Sequence, residues 1–176
     1  MPANLAEIRR RVGHVFQDPD DQLFMPTVRE DVGFGPANLG IEGEERTRLV
    51  GGALASVGAD HLADRTPHHL SEGEKCRVAI ATVLAMRPEV LVLDEPTSAL
   101  DPTGRRELAE VLGGLDQTLM VATHDLPFAL ATCPRSVILG DGRVVADAST
   151  AELFGDHDLL ARHRLELPLG FEPRAR

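Results

Sequence analysis

Cysteine and long hydrophobic runs are both scarce in this sequence of 176 residues. Only Cys76 and Cys133 occur, and their spacing matches neither a disulfide framework nor a cysteine-based zinc site. No apolar run approaches the roughly 18 residues that a membrane-spanning helix needs, and the first five residues are not typical of a signal peptide. We therefore expect two reduced thiols, a cytoplasmic location, and membrane contact only through partner proteins.

Positive charge is scarce as well, since the formal net charge is −10. Nucleic acids and anionic membranes select for clustered Lys and Arg, so neither is an expected direct partner. The one local excess, Arg9 to Arg11, is typical of the solvated face of a short helix. The length suits a single domain, and 43% hydrophobic with 26% charged residues is the balance of an ordinary globular protein.

Two continuous apolar runs, 90–93 and 118–122, have the composition of parallel strands that are buried on both faces. The segment 105–115 between them has leucine and valine at helical spacing, which predicts a strand–helix–strand crossover. Both runs end at polar residues, Asp94-Glu95 after the first and Thr123-His124-Asp125 after the second. Ligands of open α/β sheets bind beyond the carboxyl ends of the strands, so these two ends predict a single site.

Other elements are predicted on either side of this crossover. They are helices at 46–57 and 71–86, a hairpin whose strands 136–139 and 143–146 flank Gly140-Asp141-Gly142, and a helix from about 150 to 163 before a tail that contains Pro and Arg. Ser71 and Glu74 match a capping box at the start of the second helix. Because a helix N-terminus is positively polarised, Ser71 marks a candidate phosphate site.

Five short motifs stand in an order that resembles the ATPase domain of ABC transporters. They are Val15-Phe16-Gln17-Asp18-Pro19 for the Q-loop, 70–74 for the signature, 91–97 for the Walker B strand, 98–101 for the D-loop and 123–125 for the switch histidine. Any one of them is a weak signal, but five in family order are specific. The resemblance implies an α/β fold, namely a P-loop NTPase-like parallel sheet core, N-terminally truncated, with an inserted helical signature subdomain.

The resemblance also implies ATP and Mg²⁺ as cofactors. Asp94 and Gln17 are expected to bind Mg²⁺ together with the nucleotide. Glu95 is the expected general base that polarises the attacking water, and His124 is the second expected catalytic residue because it would reach the γ-phosphate. The predicted nucleotide-binding residues are Gln17, Ser71, Gly73, Asp94 and Asp101.

The sequence departs from the family pattern in its phosphate-binding motifs. The P-loop, Gly-x-x-x-x-Gly-Lys-Ser/Thr, is absent from these 176 residues, because the only lysine is Lys75 in the signature segment. We expect an N-terminal truncation, and for the chain alone weak ATP binding and background hydrolysis. Glu72 replaces a signature glycine and Glu74 the glutamine. Because a carboxylate that faces a triphosphate is repelled, Glu72 is expected to point away from it.

Further segments are similar to the energy-coupling-factor importers, and in particular to their cobalt and nickel branch. They are 17–24 and 30–36, with support from 165–169. This similarity implies a second ATPase subunit, a transmembrane coupling protein and a separate membrane component that binds the substrate. The chain would then lie peripherally on the inner face of the cell membrane.

Within one ATPase domain fragment, 1–176, we expect a helical signature subdomain at about 25–86, a Walker B to switch-histidine core at about 87–148, and a C-terminal helix and tail at about 149–176.

Three functions are compatible with these motifs. The first is ATP hydrolysis that powers an importer, with cobalt or nickel ions as the expected substrate. The second is an ATPase of the chromosome-maintenance or translation-factor type, which would need coiled-coil arms or tandem domains with basic linkers. The third is a non-catalytic partner subunit that contributes only its signature to an intact ATPase. A short acidic chain disfavours the second, so the third is the alternative to the first.

Overall fold

The computed structural model describes residues 4–168. Its helices and strands, in chain order, are α1 (Leu5–Arg11), β1 (Val12–Val15), α2 (Val28–Asn38), α3 (Gly43–Ser56), α4 (Glu72–Leu84), β2 (Val90–Asp94), α5 (Pro102–Gly113), β3 (Thr118–Ala122), α6 (Leu126–Thr132), β4 (Arg135–Gly140), β5 (Arg143–Ser149), α7 (Thr150–Gly155) and α8 (His157–Arg162). Short 3-10 turns occupy Pro19–Asp21, Asp60–Leu62 and Pro67–His69. The predicted tail beyond residue 168 lies outside the described residues.

The chain divides into two compact units, Met1–Ala122 and Thr123–Arg176. The first unit contains α1 to α5 and β1 to β3, and the second contains α6 to α8 with β4 and β5. Within residues 4–168, no helix combines the length and the apolar content that crossing a membrane requires.

A parallel sheet with the strand order β1-β2-β3 forms the centre of the first unit. It confirms the strands predicted at 90–93 and 118–122 and the helix between them, which is α5. The sequence analysis missed β1, because four residues that include a glycine and a histidine give little strand signal. Gly13 is required there because Val83 of α4 lies directly over it, where any β-carbon would overlap.

Helix α4 is the most buried helix of the first unit and packs against α2, α3, α5 and β1. Four successive side chains in its middle, Val78, Ala79, Ile80 and Ala81, are fully buried. The helix was predicted to extend to Met86, but it ends at Leu84. Arg87 adopts a φ of +55°, which turns the chain towards Pro88 and β2.

The second unit is built around the antiparallel hairpin of β4 and β5. Asp141 and Gly142 form its two-residue loop with φ values of +50° and +73°, which confirms the predicted glycine turn. Six buried apolar side chains form the core of this unit, namely Leu126, Ala129, Ile138, Leu153, Phe154 and Leu160.

The single helix predicted from 150 to 163 is wrong, because the structure has two short helices there, α7 and α8. The break falls at Gly155 and Asp156. Asp156 leaves the helical conformation, and its carboxylate accepts a hydrogen bond from the Leu159 amide at 2.9 Å. This side chain therefore starts a new helix instead of continuing the old one.

Candidate functional site

Two acidic residues stand at the carboxyl end of β2, the middle strand of the parallel sheet. Asp94 is aligned with Ala122 of β3, and the Glu95 amide donates a hydrogen bond to the Ala122 carbonyl at 2.8 Å. Asp94 is exposed and Glu95 half-buried. Glu95 has a φ of +43°, a conformation that costs a non-glycine residue about 1 kcal/mol or more. Neighbouring strands therefore hold these two acids at the end of the sheet where α/β proteins bind ligands.

The loop after Glu95 turns directly into α5. Its buried residue Thr97 accepts a backbone hydrogen bond from the Leu100 amide at 3.1 Å. Asp101 then caps α5, because its carboxylate accepts from the Gly104 amide at 2.7 Å. Asp101, which was predicted as a nucleotide contact, is the N-cap residue of α5 in this structure.

The N-terminus of α4 is closed by the predicted capping box, which the structure confirms. The Ser71 amide and hydroxyl both donate to one carboxylate oxygen of Glu74, at 2.8 and 2.9 Å, and the Glu74 amide points back at the Ser71 hydroxyl. These donations hold the pKa of Glu74 below its ordinary value, so it is ionised at neutral pH. Gly73 faces open space, which leaves the first turn of the helix accessible to a ligand.

Gln17 lies in the loop that follows β1, which we define as the Gln17 loop, residues 16–22. An open depression of about 810 Å³ is lined by this loop, by Glu72 of α4, and by Ser98 and Ala99 of the loop after β2. Three of the predicted motifs, the Q-loop, the signature and the D-loop, therefore border one depression in the first unit.

His124 belongs to the second unit, which begins at Thr123. In the sequence it lies two residues after the end of β3. Its neighbour Asp125 caps α6 by accepting from the Phe128 amide at 3.0 Å, and the Asp125 amide donates to the Thr123 hydroxyl. The predicted contact of His124 with a phosphate stays a prediction.

Sequence reasoning placed Lys75 in the signature segment but missed its pairing with two acidic residues that line the depression. Lys75 is buried, and its ammonium group lies 2.9 Å from the Asp20 carboxylate and 3.2 Å from that of Glu72. The hydrogen bond to Asp20, followed by that to Glu72, raises the pKa of Lys75. The spacing of Glu72 and Lys75 on α4 is a recognisable i,i+3 pair, whereas Asp20 is 55 residues away along the chain.

Cys76, expected as a reduced thiol, is free and buried, and the sequence did not reveal its contact. Its sulfur lies 3.6 Å from the carbonyl oxygen of Pro96, which joins α4 to the loop after β2. Burial raises the pKa of the thiol to about 11, so it is uncharged at neutral pH. No group of three or more His, Cys, Asp or Glu side chains that could hold a metal occurs between residues 4 and 168.

Comparisons with known proteins show the family to which the chain belongs. The family model for ABC transporters matches residues 2–98. A Streptomyces coelicolor protein named as an ABC transporter ATP-binding protein is 63% identical over 172 residues, which cover 98% of this chain and 66% of that protein. The energy-coupling factor transporter ATP-binding protein EcfA of Methanocaldococcus jannaschii is 44% identical over 168 residues, which cover 94% of this chain and 60% of that protein.

A solved structure, CbiO1 from Clostridium perfringens, described as part of the ABC transporter complex CbiONQ, has the same fold. It is 39% identical, with a TM-score of 0.83, and the match covers 96% of this chain and 68% of that one. The predicted class, an α/β domain with a P-loop NTPase-like parallel sheet, is thereby confirmed. The chain belongs to the family of ABC transporter ATP-binding proteins. It spans about two thirds of the length of the Streptomyces relative.

Proposed function

We propose that the chain is the ATP-binding and ATP-hydrolysing part of an energy-coupling-factor importer of cobalt or nickel ions. The observation that carries this proposal is the pair Asp94 and Glu95 at the end of the middle strand, with Glu95 held at a positive φ. The names of the relatives EcfA and CbiO1 support the transporter type. The proposed substrate rests on the similarity of segments 17–24 and 30–36 to the cobalt and nickel branch.

The residues of this chain fit part of a Mg²⁺–ATP site. Asp94 and Gln17 offer the oxygen ligands that Mg²⁺ prefers, and Mg²⁺, when bound, neutralises phosphate charge. Ser71 and Gly73 lie at the N-terminus of a helix of 13 residues, where a phosphate is favoured. The P-loop does not occur in these 176 residues, so the residues named here make up only part of such a site.

Each remaining site residue has a proposed role in hydrolysis. Glu95 accepts a proton from the attacking water, and its fixed backbone orients the carboxylate. His124 contacts the γ-phosphate and responds to its loss. Asp101 contributes to the nucleotide face while it caps α5. A second ATPase subunit is the proposed partner, since two such domains close head to tail around each nucleotide.

Membrane contact is proposed to come through partner proteins. A transmembrane coupling protein would hold the chain at the inner face of the membrane, and a separate membrane component would bind the metal ion. Uptake of radioactive cobalt and nickel by vesicles that contain the whole assembly tests this part. Equal uptake without ATP contradicts it.

A second candidate function is supported by the signature region. Ser71 and Gly73 lie at the capped N-terminus of α4, and Gly73 faces open space, while the P-loop does not occur in these 176 residues. A chain of this kind would lend its signature to an intact ATPase subunit without hydrolysing ATP in its own site.

Substitutions in a mixed pair separate the two candidates. The chain is combined with an ATPase subunit that has a P-loop, and ATP hydrolysis is measured with Ser71→Arg or Glu95→Gln in this chain. Ser71→Arg places a bulky side chain where the γ-phosphate docks, so we expect complete loss of hydrolysis in the site that this signature forms with the partner's P-loop. If Glu95 is the general base, Glu95→Gln lowers hydrolysis in this chain's own site by about 100-fold or more. An unchanged rate for Glu95→Gln alone supports the signature donor, and unchanged rates for both contradict both candidates.

A further inference from the structure

The single lysine of the chain is buried between two carboxylates. Only 10% of the Lys75 side chain is exposed, while Asp20 and Glu72 are each about half exposed, at 49%. Lysine is almost never buried without a partner, and here it has one partner in the Gln17 loop and one on its own helix. Lys75 therefore connects the loop to the first turn of α4.

A neutral contact lies beside this charged one. The Gln22 side-chain amide donates to the Ala79 carbonyl at 2.8 Å and to the Thr82 hydroxyl at 2.7 Å. Its oxygen accepts from the Phe16 amide at 3.1 Å. The Gln17 loop is thus joined to α4 at two places, one near the start of the helix and one in its middle.

These charged groups also determine the electrostatics of the depression described above. Asp18, Asp20, Asp21 and Glu72 all line it, and Lys75 is the cation that the structure pairs with two of them. Without this cation, the carboxylates of Asp20 and Glu72 would both face the depression unpaired. A triphosphate that approaches the first turn of α4 would then be repelled.

We propose that Lys75 is a positioning residue that fixes the Gln17 loop on α4 and neutralises Glu72, so that this signature segment tolerates a carboxylate at a nucleotide face. The second half of this proposal rests on the proposed function, and the first half does not. Gln17 and Ser71, which come from different parts of the sequence, are then kept in register by this ammonium group together with the Gln22 contact.

Hydrogen exchange tests the link between loop and helix in the full chain. Lys75→Met keeps the volume of the side chain and removes its charge. We expect the amides of Asp21, Gln22 and Leu23, which donate within the 3-10 turn of the loop, to exchange about tenfold faster. The amides of α3 serve as the internal control and should not change.

The matched variant Lys75→Arg retains the charge and should restore slow exchange to within about twofold of the wild type. Unchanged exchange of the loop in Lys75→Met would overturn the link. Equal acceleration in the loop and in α3 would also overturn it, because that pattern indicates general destabilisation.

ATP kinetics of the mixed pair test the neutralisation. Lys75→Met should raise the KM for ATP by about tenfold with kcat within about twofold, because the repulsion acts on binding. The double variant Lys75→Met with Glu72→Gln should restore most of the KM, since one unpaired carboxylate has been removed. A KM that Glu72→Gln does not restore overturns the neutralisation. If the wild-type pair hydrolyses no ATP, the proposed function fails, and the exchange experiment still decides the link.

Discussion

The start of α4 and the end of β2 are both predicted to face nucleotide, yet they are built in different ways. The start of α4 is held by residues that are close in sequence, since Ser71 and Glu74 satisfy one another. The end of β2 is held by a distant strand, because the Glu95 amide bonds to Ala122 of β3. One region therefore depends on local hydrogen bonds and the other on the assembled sheet.

The two regions also differ in the backbone strain that they carry. The capped helix places Ser71 in the extended conformation that an N-cap ordinarily adopts. Glu95 has a positive φ that only its surroundings can maintain. Damage to the sheet should therefore disturb the acidic pair and leave the cap intact, and damage to the cap should do the reverse.

The largest effect is expected from Leu93→Ala. Leu93 is fully buried in β2, and its truncation leaves a cavity that lowers the free energy of unfolding by about 2 to 5 kcal/mol. Urea denaturation measures this loss. Met120→Ala in β3 is the control, since its side chain is 64% exposed and its loss should cost less than about 0.5 kcal/mol.

Amide exchange in Leu93→Ala tests directly whether the end of β2 and the start of α4 open separately. In Leu93→Ala, exchange should accelerate more at the Glu95 amide, which depends on β3, than at the Glu74 amide, which depends on Ser71. Equal acceleration at both amides would show that the two regions open together, and the distinction between them would fail.

A smaller effect is expected at Glu95 itself. Glu95→Gly and Glu95→Ala remove the same carboxylate, but only glycine adopts a φ of +43° without strain. We expect the glycine variant to be more stable than the alanine variant by about 1 kcal/mol. Inside regular structure a glycine variant is normally less stable than an alanine variant. A lower melting temperature for Glu95→Gly than for Glu95→Ala would therefore contradict backbone strain at this position.

The smallest effect is expected from acid on the cap of α4. The pKa of Glu74 is lowered by the hydrogen bonds from Ser71, so its contribution to stability is present above the ordinary value of 4.5 and disappears as the pH falls through the lowered value. Glu74→Gln should be less stable than wild type by a few tenths of a kcal/mol, on the order of a surface interaction, near neutral pH. The two proteins should become equal once the pH has fallen below the lowered pKa of Glu74. A difference in melting temperature that does not vary with pH would contradict this origin.

The same comparison explains how much could be predicted from the sequence. The capping box, β2, β3 and the hairpin loop are encoded by neighbouring residues, and all were predicted correctly. Strand β1 and the Lys75–Asp20 pair depend on residues far apart in the chain, so no local pattern revealed them. Among the candidate site residues, the cap at Ser71 was visible from its spacing to Glu74. The positive φ of Glu95 was not, because the backbone there is held by the carbonyl of Ala122, which belongs to another strand.

The position of Cys76 makes it a chemical reporter of motion inside the first unit. Its thiol lies between α4 and the carbonyl of Pro96, with a pKa of about 11, and so it is shielded and uncharged while that contact is closed. An alkylating reagent would modify this thiol only while α4 is separated from the loop after β2. The rate of modification then measures how often these two motifs separate, and a ligand that binds both should slow it.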